Sequence, residues 1–341
     1  MTSRRERSPG QPNAESEVLV LAERLIGGDR RALSKAITLV ESASPEDSEC
    51  AARLLRIIGP RTGQSIRLGV SGAPGVGKST FIDALGVHLL GLKHRLAVLA
   101  VDPSSSVSGG SVLGDKTRMP RLAVAADAFI RPSPSGGFKG GVAPRTRESL
   151  LVCEAAGYDV VMVETVGTGQ SEHAVSEMVD SFVLLVTAGS GDELQGFKRG
   201  VMELVDVLVV NKSDGDGVER AENCARAYAS GLSILRPPDS WGWFPPVLNA
   251  SALESRGMDQ VWQKVLLHRS WLASNGALSR KRQEQLRSAL RSLLDAELTL
   301  RFLASPRVKA AYSEMERAVE QGELSPSDAV RRLLAIYEGE R

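Results

Sequence analysis

The 341-residue sequence predicts an α/β fold: a doubly wound, mostly parallel sheet, with helices before it and a helical extension after it. Short apolar segments alternate with helical patterns in the middle of the chain, as in sheets whose parallel strands are connected by helices. A glycine-rich turn at residues 72–79 joins one apolar segment directly to a helical pattern. The chain on either side of this region shows helical periodicity alone.

Four segments are predicted along the chain. Residues 1–16 are rich in Pro, Gly, Ser and Asn and are expected to be a disordered tail. Residues 17–62 hold three helical patterns, and residues 63–275 hold the alternating segments. Residues 276–341 hold three amphipathic helices, whose apolar faces fit either packing on the core or a subunit interface.

Short runs of apolar and β-branched residues predict six strands in the alternating region. The predicted strands are Ile66–Ser71, Leu96–Val101, Asp159–Glu164, Ser181–Val186, Asp206–Val210 and Pro246–Asn249. Because parallel sheets bind their ligands at the carboxyl ends of the strands, residues that follow these segments are the candidates for a site.

The glycine-rich turn after the first predicted strand is a complete phosphate-binding motif. Such a turn can arise for backbone reasons alone, but here every fixed position of the motif is filled. Its amides can surround a β-phosphate at the start of a helix, Lys78 can reach the β- and γ-oxygens, and the Ser79 hydroxyl can ligate Mg²⁺. We therefore predict a nucleoside triphosphate site formed by Gly72, Ala73, Pro74, Gly75, Val76, Gly77, Lys78, Ser79 and Thr80.

A second motif, Asn211-Lys212-Ser213-Asp214, directly follows the predicted strand Asp206–Val210. The Asp214 carboxylate can accept hydrogen bonds from N1 and N2 of guanine, whereas adenine offers no matching donors. Ser251-Ala252-Leu253 follows the last predicted strand and resembles the final guanine-contacting loop of G proteins. The alternative for Asp214 is a turn residue beside Gly215.

Acidic residues stand at the ends of two other predicted strands. Asp102 and Glu164 are well placed to hold Mg²⁺ beside a triphosphate, since hard cations take oxygen ligands. The alternatives are a helix cap for Asp102 and an ordinary strand-end carboxylate for Glu164. The Gly167 amide can sense a γ-phosphate, and Gln170, three positions further on, is a candidate for orienting water. Arg118 is either a charge stabiliser or a surface contact.

Composition restricts the class of protein. The formal net charge is +1 with mixed signs along the chain, so no nucleic-acid-binding surface is predicted. The three cysteines are isolated in sequence and form neither a disulfide framework nor a zinc motif. The N-terminal residues lack the apolar core of a secretory signal, and no apolar run is long enough to span a bilayer. We expect a cytoplasmic enzyme that binds neither nucleic acid nor membrane.

Several motifs resemble those of the methylmalonyl-CoA mutase-associated G proteins, the MeaB/ArgK type of P-loop GTPase. The similarity covers most of the chain and is weakest in the C-terminal helices. In chain order, the motifs are Gly28–Leu33, Gly72–Ser79, Asp102–Ser105, Gly114–Met119, Glu164–Gly167 and Gly191–Gly196.

This resemblance implies an activity and a partner. Members of the family are GTPases that bind an adenosylcobalamin-dependent acyl-CoA mutase, gate the loading and offloading of its cofactor, and protect it from inactivation. They are typically homodimers formed through the C-terminal extension. By resemblance, residues 63–275 form a P-loop GTPase domain that hydrolyses GTP to GDP and phosphate with Mg²⁺, and residues 276–341 form the dimer.

The resemblance also assigns residues to sites. The phosphate and Mg²⁺ site would contain Lys78, Ser79, Asp102, Asp115 and Glu164. Guanine would be recognised by Asn211, Lys212 and Asp214. A further switch toward the mutase would be the segment Thr187–Gly200, with Glu193, Gln195 and Lys198. Because no glutamine directly follows the switch glycine, we predict slow intrinsic hydrolysis that the mutase accelerates.

Three other classes of protein are compatible with parts of the sequence. Nickel-inserting metallochaperone GTPases usually carry histidine-rich tracts or a cysteine pair, whereas the four histidines here are scattered. An ATP-using kinase linked to amino-acid transport is opposed by the guanine motif and by the lack of a kinase catalytic loop. A pure binding module would be excluded by measurable turnover.

Overall fold

The computed structural model describes residues 14–42, 44–102, 117–134, 142–165, 172–188, 199–235 and 242–339. The chain divides into two compact units. The first unit ends at Gln285, and the second begins at Leu286.

Three helices precede the sheet, as predicted: α1 (Ala14–Ile26), α2 (Arg30–Glu41) and α3 (Pro45–Ile58). The first helix begins at Ala14, so the end of the segment 1–16 that we expected to be disordered is helical. Residues 1–13 of that segment lie outside the described part of the chain. The carboxylate of Asp29 begins α2 by accepting hydrogen bonds from the backbone amides of the helix's first turn.

Seven parallel strands form one sheet in the order β3-β2-β4-β1-β5-β6-β7. This arrangement confirms the predicted α/β fold class. The strands are β1 (Ile66–Gly72), β2 (Leu96–Asp102), β3 (Ala128–Pro134), β4 (Val160–Glu164), β5 (Ser181–Thr187), β6 (Val207–Asn211) and β7 (Val247–Asn249).

The sheet is covered by helices on both faces. Alternate residues of β4 point to opposite faces: Val160 and Met162 belong to one buried cluster, and Val161 and Val163 belong to the other. The covering helices are α4 (Lys78–Gly91), α5 (Pro120–Ala123), α6 (Val142–Ala155), α7 (Glu172–Ser176), α8 (Arg199–Met202), α9 (Val218–Leu235) and α10 (Met258–Ser274).

Strand β3 was not predicted from the sequence. It contains Arg131, Pro132 and Pro134, and such residues argue against a strand in the interior of a sheet because proline lacks the N–H that the ladder needs. The structure places β3 at the edge of the sheet, paired with β2 alone. An edge strand tolerates proline because its outward-facing backbone groups have no neighbouring strand to pair with.

Three helices complete the chain: α11 (Ala277–Ala304), α12 (Pro306–Glu320) and α13 (Pro326–Glu338). The beginning of α11 belongs to the first unit, where Arg282 forms an ion pair of 2.8 Å with the buried Asp180 and Lys281 donates to the Asp180 carbonyl. In the second unit, the Ser325 hydroxyl accepts the Asp328 amide and so caps the start of α13. In the part of the chain that the structure describes, no helix is long and apolar enough to cross a membrane.

A half-buried carboxyl group in α6, that of Glu148, leads to a prediction about stability. Burial raises the pKa of Glu148 from 4.5 to about 7, although the charge of Arg145 opposes this shift. Since the folded state favours the protonated form, this contribution to stability is complete below about pH 4.5 and is lost as the pH rises through about 7. We expect Glu148→Gln to be more stable than the wild type by about 1–3 kcal/mol at pH 8, with the difference shrinking toward pH 5.

Urea unfolding of both proteins at a series of pH values between these limits measures the difference. The exposed Glu219 on α9 supplies the control, because Glu219→Gln should leave the pH dependence of stability unchanged. A stability difference between Glu148→Gln and the wild type that does not vary with pH would contradict the prediction.

Candidate nucleotide-binding site

The carboxyl ends of the central strands form one edge of the sheet. Val70 of β1 pairs with Glu164 of β4, which in turn pairs with Ala100 of β2. On the other side, Thr187 of β5 pairs with Asn211 of β6. The predicted phosphate, metal and base residues therefore follow strands that end side by side, where an α/β sheet binds its ligands.

The phosphate-binding loop connects β1 to α4, as predicted. Lys78 is the first residue of α4 and is buried, with 9% of its surface exposed. Its Nζ atom donates hydrogen bonds to the carbonyl oxygens of Gly72, at 2.7 Å, and Ala73, at 3.1 Å. These two hydrogen bonds hold the Lys78 side chain against the start of the phosphate-binding loop.

Charged groups surround the Lys78 ammonium. Burial lowers its pKa, while the nearby carboxylates of Glu164 and Glu172 raise it and the charge of Arg118 lowers it further. Arg118 itself is exposed to solvent. Two carboxylates that stabilise the ammonium form keep Lys78 suited to binding anionic phosphate oxygens.

Ser79 and Glu164 are brought together at this edge. The Ser79 hydroxyl donates a hydrogen bond of 2.9 Å to Oε1 of Glu164, whose side chain is buried. The next residue, Thr165, holds the end of β4 against β1 by donating its amide to Val70 and its hydroxyl to Ser71. A hydroxyl oxygen beside a carboxylate is a donor set that suits a hard divalent cation, so the residues present fit Mg²⁺.

Asn211 connects the phosphate loop to the predicted base loop. Its Nδ2 atom donates to the Val76 carbonyl at 2.9 Å, and its Oδ1 atom accepts the Ala252 amide at 3.1 Å. The neighbouring Lys212 donates from Nζ to the Gly75 carbonyl at 2.8 Å. The two first residues of the guanine motif therefore fix the two loops relative to each other.

The last residue of the guanine motif, Asp214, is held by the base loop. The Ser251 hydroxyl donates a short hydrogen bond to Oδ2 of Asp214, which orients the carboxylate. An antiparallel bridge between Ser251 and Arg256 closes this loop, and the Arg256 guanidinium donates to the Ser213 carbonyl. Between them in sequence, the side chain of Leu253 is largely exposed.

The described part of the chain does not include every predicted site residue. Asp115, Gly167, Gln170, Glu193, Gln195 and Lys198 lie outside the described residues. Asp102 ends β2 at the same edge of the sheet, but its side chain is outside the described part. Pro74 and Thr80 are exposed on the phosphate loop and the first turn of α4.

One acidic residue near the site was missed from the sequence. Glu172 begins α7, is buried with 4% of its surface exposed, and carries a charge that acts on Lys78. It belongs to none of the motifs and stands far from Lys78 in sequence, so only the packing of α7 brings it to the phosphate loop. An acidic residue at the start of a short helix is a weak signal, because helix dipoles alone favour that placement.

A glycine in the phosphate loop makes the contact with Asn211 possible, and this leads to a prediction. Gly77 has φ of 92°, and a Cβ atom added there would lie 2.9 Å from Nδ2 of Asn211. We expect Gly77→Ala to cost about 1–3 kcal/mol of stability and to weaken GDP binding, since both strain and displacement of Asn211 follow. Gly91→Ala at the other end of α4 meets no atom and serves as the control in thermal unfolding and GDP titration. Equal effects of the two substitutions would contradict this explanation.

The fold and the site together define a class of protein. A strand leads through a phosphate-binding loop into a helix, and an Asn-Lys-x-Asp segment at the end of a neighbouring parallel strand is tied to that loop. This combination is that of a P-loop GTPase.

Comparison with known proteins shows the family. The model of the family described as "Methylmalonyl Co-A mutase-associated GTPase MeaB" matches residues 33–307. The chain belongs to this family, in agreement with the resemblance found in its motifs. It is therefore a GTP hydrolase with guanine nucleotides as its ligands.

Curated relatives agree over nearly the whole chain. A "Putative GTPase" of Caulobacter vibrioides is 50% identical over 93% of this chain and 97% of its own length. The "GTPase ArgK" of Escherichia coli is 47% identical over 91% of this chain and 93% of its own length. The "Methylmalonic aciduria type A homolog, mitochondrial" of Mus musculus is 43% identical over 92% of this chain and 78% of its own length.

A solved structure has the same fold. A protein described as "LAO/AO transport system kinase" superimposes with a TM-score of 0.74 and 40% sequence identity. The match covers 96% of this chain and all of that one.

Proposed function

We propose that this GTPase is a G-protein chaperone of an adenosylcobalamin-dependent acyl-CoA mutase of the methylmalonyl-CoA mutase type, gating the loading of its cofactor and protecting it. The observation that carries the proposal is the family match over residues 33–307, because the description of that family names association with the mutase. In this role, GTP binding and hydrolysis would change the conformation that the chaperone presents to the mutase. The reaction of the acyl-CoA would be catalysed by the mutase alone.

Hydrolysis is proposed to depend on charge neutralisation around the γ-phosphate. Lys78 and the backbone amides of the phosphate loop would bind the β- and γ-oxygens as negative charge shifts during cleavage. Arg118, whose charge already acts on Lys78, is a candidate for further neutralisation on the solvent side. When bound, Mg²⁺ would supply additional positive charge. Its proposed holders are Ser79, Asp102, Asp115 and Glu164.

The attacking water is proposed to be oriented by residues near the ends of β2 and β4. Glu164 is buried at the end of β4, and Gln170 follows it in sequence. Asp102 and Asp115 are the other candidates. Gly167 is proposed to sense the γ-phosphate through its amide, which is how the segment after β4 would become a switch.

Guanine is proposed to be recognised by Asp214, with Asn211 and Lys212 holding the loops around it. The support is the hydrogen bond from Ser251, which turns one carboxylate oxygen of Asp214 toward the loop Ser251–Leu253 and fixes the plane of the carboxylate. A fixed carboxylate can pair with both guanine N–H donors without first losing side-chain freedom.

The response to the mutase is proposed to pass through the segment Thr187–Gly200. This segment begins at the end of β5, where Thr187 pairs with Asn211 at the same edge of the sheet as the phosphate loop. Glu193, Gln195 and Lys198 are the residues proposed to meet the mutase. By ordering the switches, the mutase would accelerate an otherwise slow hydrolysis.

A homodimer in the cytoplasm is proposed, with no nucleic-acid or membrane partner. Support for the dimer comes from the second unit, where leucines of α11 at helical spacing are exposed: Leu286, Leu290, Leu293, Leu294 and Leu298. A continuous row of exposed leucines is typical of a surface that another chain covers. No nucleic-acid partner is proposed because the net charge is close to neutral.

The deciding experiment measures GTP and ATP hydrolysis by the purified protein, with and without an acyl-CoA mutase from the same organism. GTP-specific turnover that rises on adding the mutase is the expected result. Turnover that is indifferent to the mutase would overturn the partnership and leave the GTPase standing. Bovine serum albumin at the same concentration controls for non-specific stabilisation of the enzyme.

The ATP arm of this assay tests the kinase alternative. That alternative is favoured by the description "LAO/AO transport system kinase", which belongs to the solved relative. Faster turnover of ATP than of GTP would support a kinase. The nickel-insertion alternative is disfavoured because the four histidines are scattered in sequence. Two of them also have other partners: His94 pairs with Asp159, and the buried His268 is hydrogen-bonded to Ser181.

A further inference from the structure

A short segment on the phosphate side of the site is anchored to helix α4 by one buried carboxylate. Asp83 of α4 accepts the Leu122 amide at 3.0 Å on Oδ1 and the Arg121 Nε at 2.7 Å on Oδ2. Its side chain is 5% exposed, so both interactions are shielded from water on the helix side. The segment Thr117–Ala123 is thereby fixed to the helix that begins at Lys78.

Packing reinforces this anchor. Leu122 and Met119 are fully buried, and a Cβ atom at Gly86 of α4 would lie 2.6 Å from the Leu122 side chain. The glycine is what allows the segment to approach α4 this closely. Arg121 adds only its Nε atom to this anchor, so the rest of its partly exposed guanidinium is available for another contact.

That other contact reaches the proposed guanine loop. While Nε of Arg121 binds Asp83, its Nη1 atom donates to the Ser255 hydroxyl at 3.3 Å. Ser255 has φ of 55° in the loop that the Ser251–Arg256 bridge closes. The same loop provides the hydroxyl that orients Asp214. One guanidinium thus joins α4 to the loop that is proposed to read the base.

The other end of the anchored segment carries a second arginine, Arg118, which is also exposed. Arg118 stands three residues before Arg121, and its charge lowers the pKa of Lys78. The segment between them is short and held by the buried Met119. A displacement of Arg121 therefore reaches, through this short segment, an arginine whose charge acts on Lys78.

We propose that Arg121 is a positioning residue that couples the guanine loop to the phosphate side of the site through its contacts with Ser255 and Asp83. The proposal rests on the proposed assignment of Asp214 and the Ser251–Leu253 loop to guanine. A guanidinium suits this role because its planar fork presents several donors at fixed angles, whereas a lysine ammonium is a single point of contact.

The experiment compares Ser255→Ala, Arg121→Lys, Arg121→Ala and the double variant Arg121→Ala/Ser255→Ala. Single-turnover GTP hydrolysis and the dissociation rate of a fluorescent GDP analogue are measured in each, with the melting temperature as a check on folding. Gln260→Ala, an exposed residue on the first turns of α10 just beyond this loop, is the control and should behave as the wild type.

We expect Ser255→Ala to release GDP faster and to hydrolyse GTP more slowly, each by about three- to tenfold, with an unchanged melting temperature. Arg121→Lys should resemble Ser255→Ala, because it retains a donor for Asp83 and loses the second contact. In the Arg121→Ala background, removing the Ser255 hydroxyl should have no further effect, since the partner is already gone.

Two results would overturn the coupling. In one, Ser255→Ala leaves both rates unchanged while Arg121→Ala lowers only the melting temperature, which is the outcome of a purely structural anchor. In the other, the effects of Ser255→Ala and Arg121→Ala multiply in the double variant. Failure of the guanine assignment is seen separately, as an unchanged preference for GTP over ATP when Asp214 itself is replaced.

Discussion

Lys78→Ala is expected to lower kcat/KM for GTP by about 10²–10³-fold, the cost of removing one fixed donor that stabilises developing charge. The buried ammonium stands at the start of α4, where burial lowers its pKa and the charges of Glu164 and Glu172 oppose that shift. Alanine leaves the loop amides in place. It removes the ammonium group that donates to the carbonyl oxygens of Gly72 and Ala73. The reduction should appear mainly in kcat, because the neutralised charge grows during cleavage.

Steady-state release of phosphate from GTP measures this effect. Lys35→Ala, on the exposed face of α2, removes the same side chain far from the sheet edge and should keep full activity. If Lys78→Ala retained more than about a tenth of the wild-type kcat/KM, the assignment of Lys78 to the phosphates would be wrong.

Asp214→Asn is expected to change which base the protein accepts. A site built to pair with substrate N–H groups rejects an analogue lacking them by about 10⁴–10⁵-fold, so losing the carboxylate should remove most of the preference for GTP over ATP. The new amide can donate to the 2-oxo group of xanthine, where guanine carries an amino group. We therefore expect XTP to become the better substrate, with Ser251 still bonded to the remaining oxygen.

Competition of GTP, ATP and XTP for a fluorescent GDP analogue measures these preferences directly. Asp216→Asn is the matched control, because Asp216 is an exposed carboxylate two positions further along the chain. A variant at position 214 that still preferred GTP as strongly as the wild type would contradict the base assignment.

The fold was largely predictable because the central strands are continuous apolar runs between helical patterns. Strand β3 was the exception, since its arginine and prolines are acceptable only at an edge, and position in the sheet is not written in local sequence. The start of α1 was also misplaced. Polar residues 14–16 give no apolar periodicity, yet Glu15 and Glu17 favour the first turn of a helix.

The residues of the site likewise fall into those that the sequence predicted and those that it did not. The phosphate loop and the guanine motif are contiguous in sequence, and each carries its chemistry in adjacent residues that a pattern can identify. Glu172 and Arg121 belong to neither motif, and they reach the site only because α7 and the segment Thr117–Ala123 pack there. Long-range contacts of this kind depend on the assembled fold, so single-sequence patterns do not reveal them.

The two edges of the sheet have a consequence for the protein in concentrated solution. A long, regular edge strand exposes N–H and C=O groups to which a strand of another molecule can add, and this is a common route to aggregation. Here one edge is β3, where Pro132 and Pro134 have no N–H to offer, and the other is β7, which has three residues. The residues that concealed β3 from prediction thus protect the sheet from growing by strand addition.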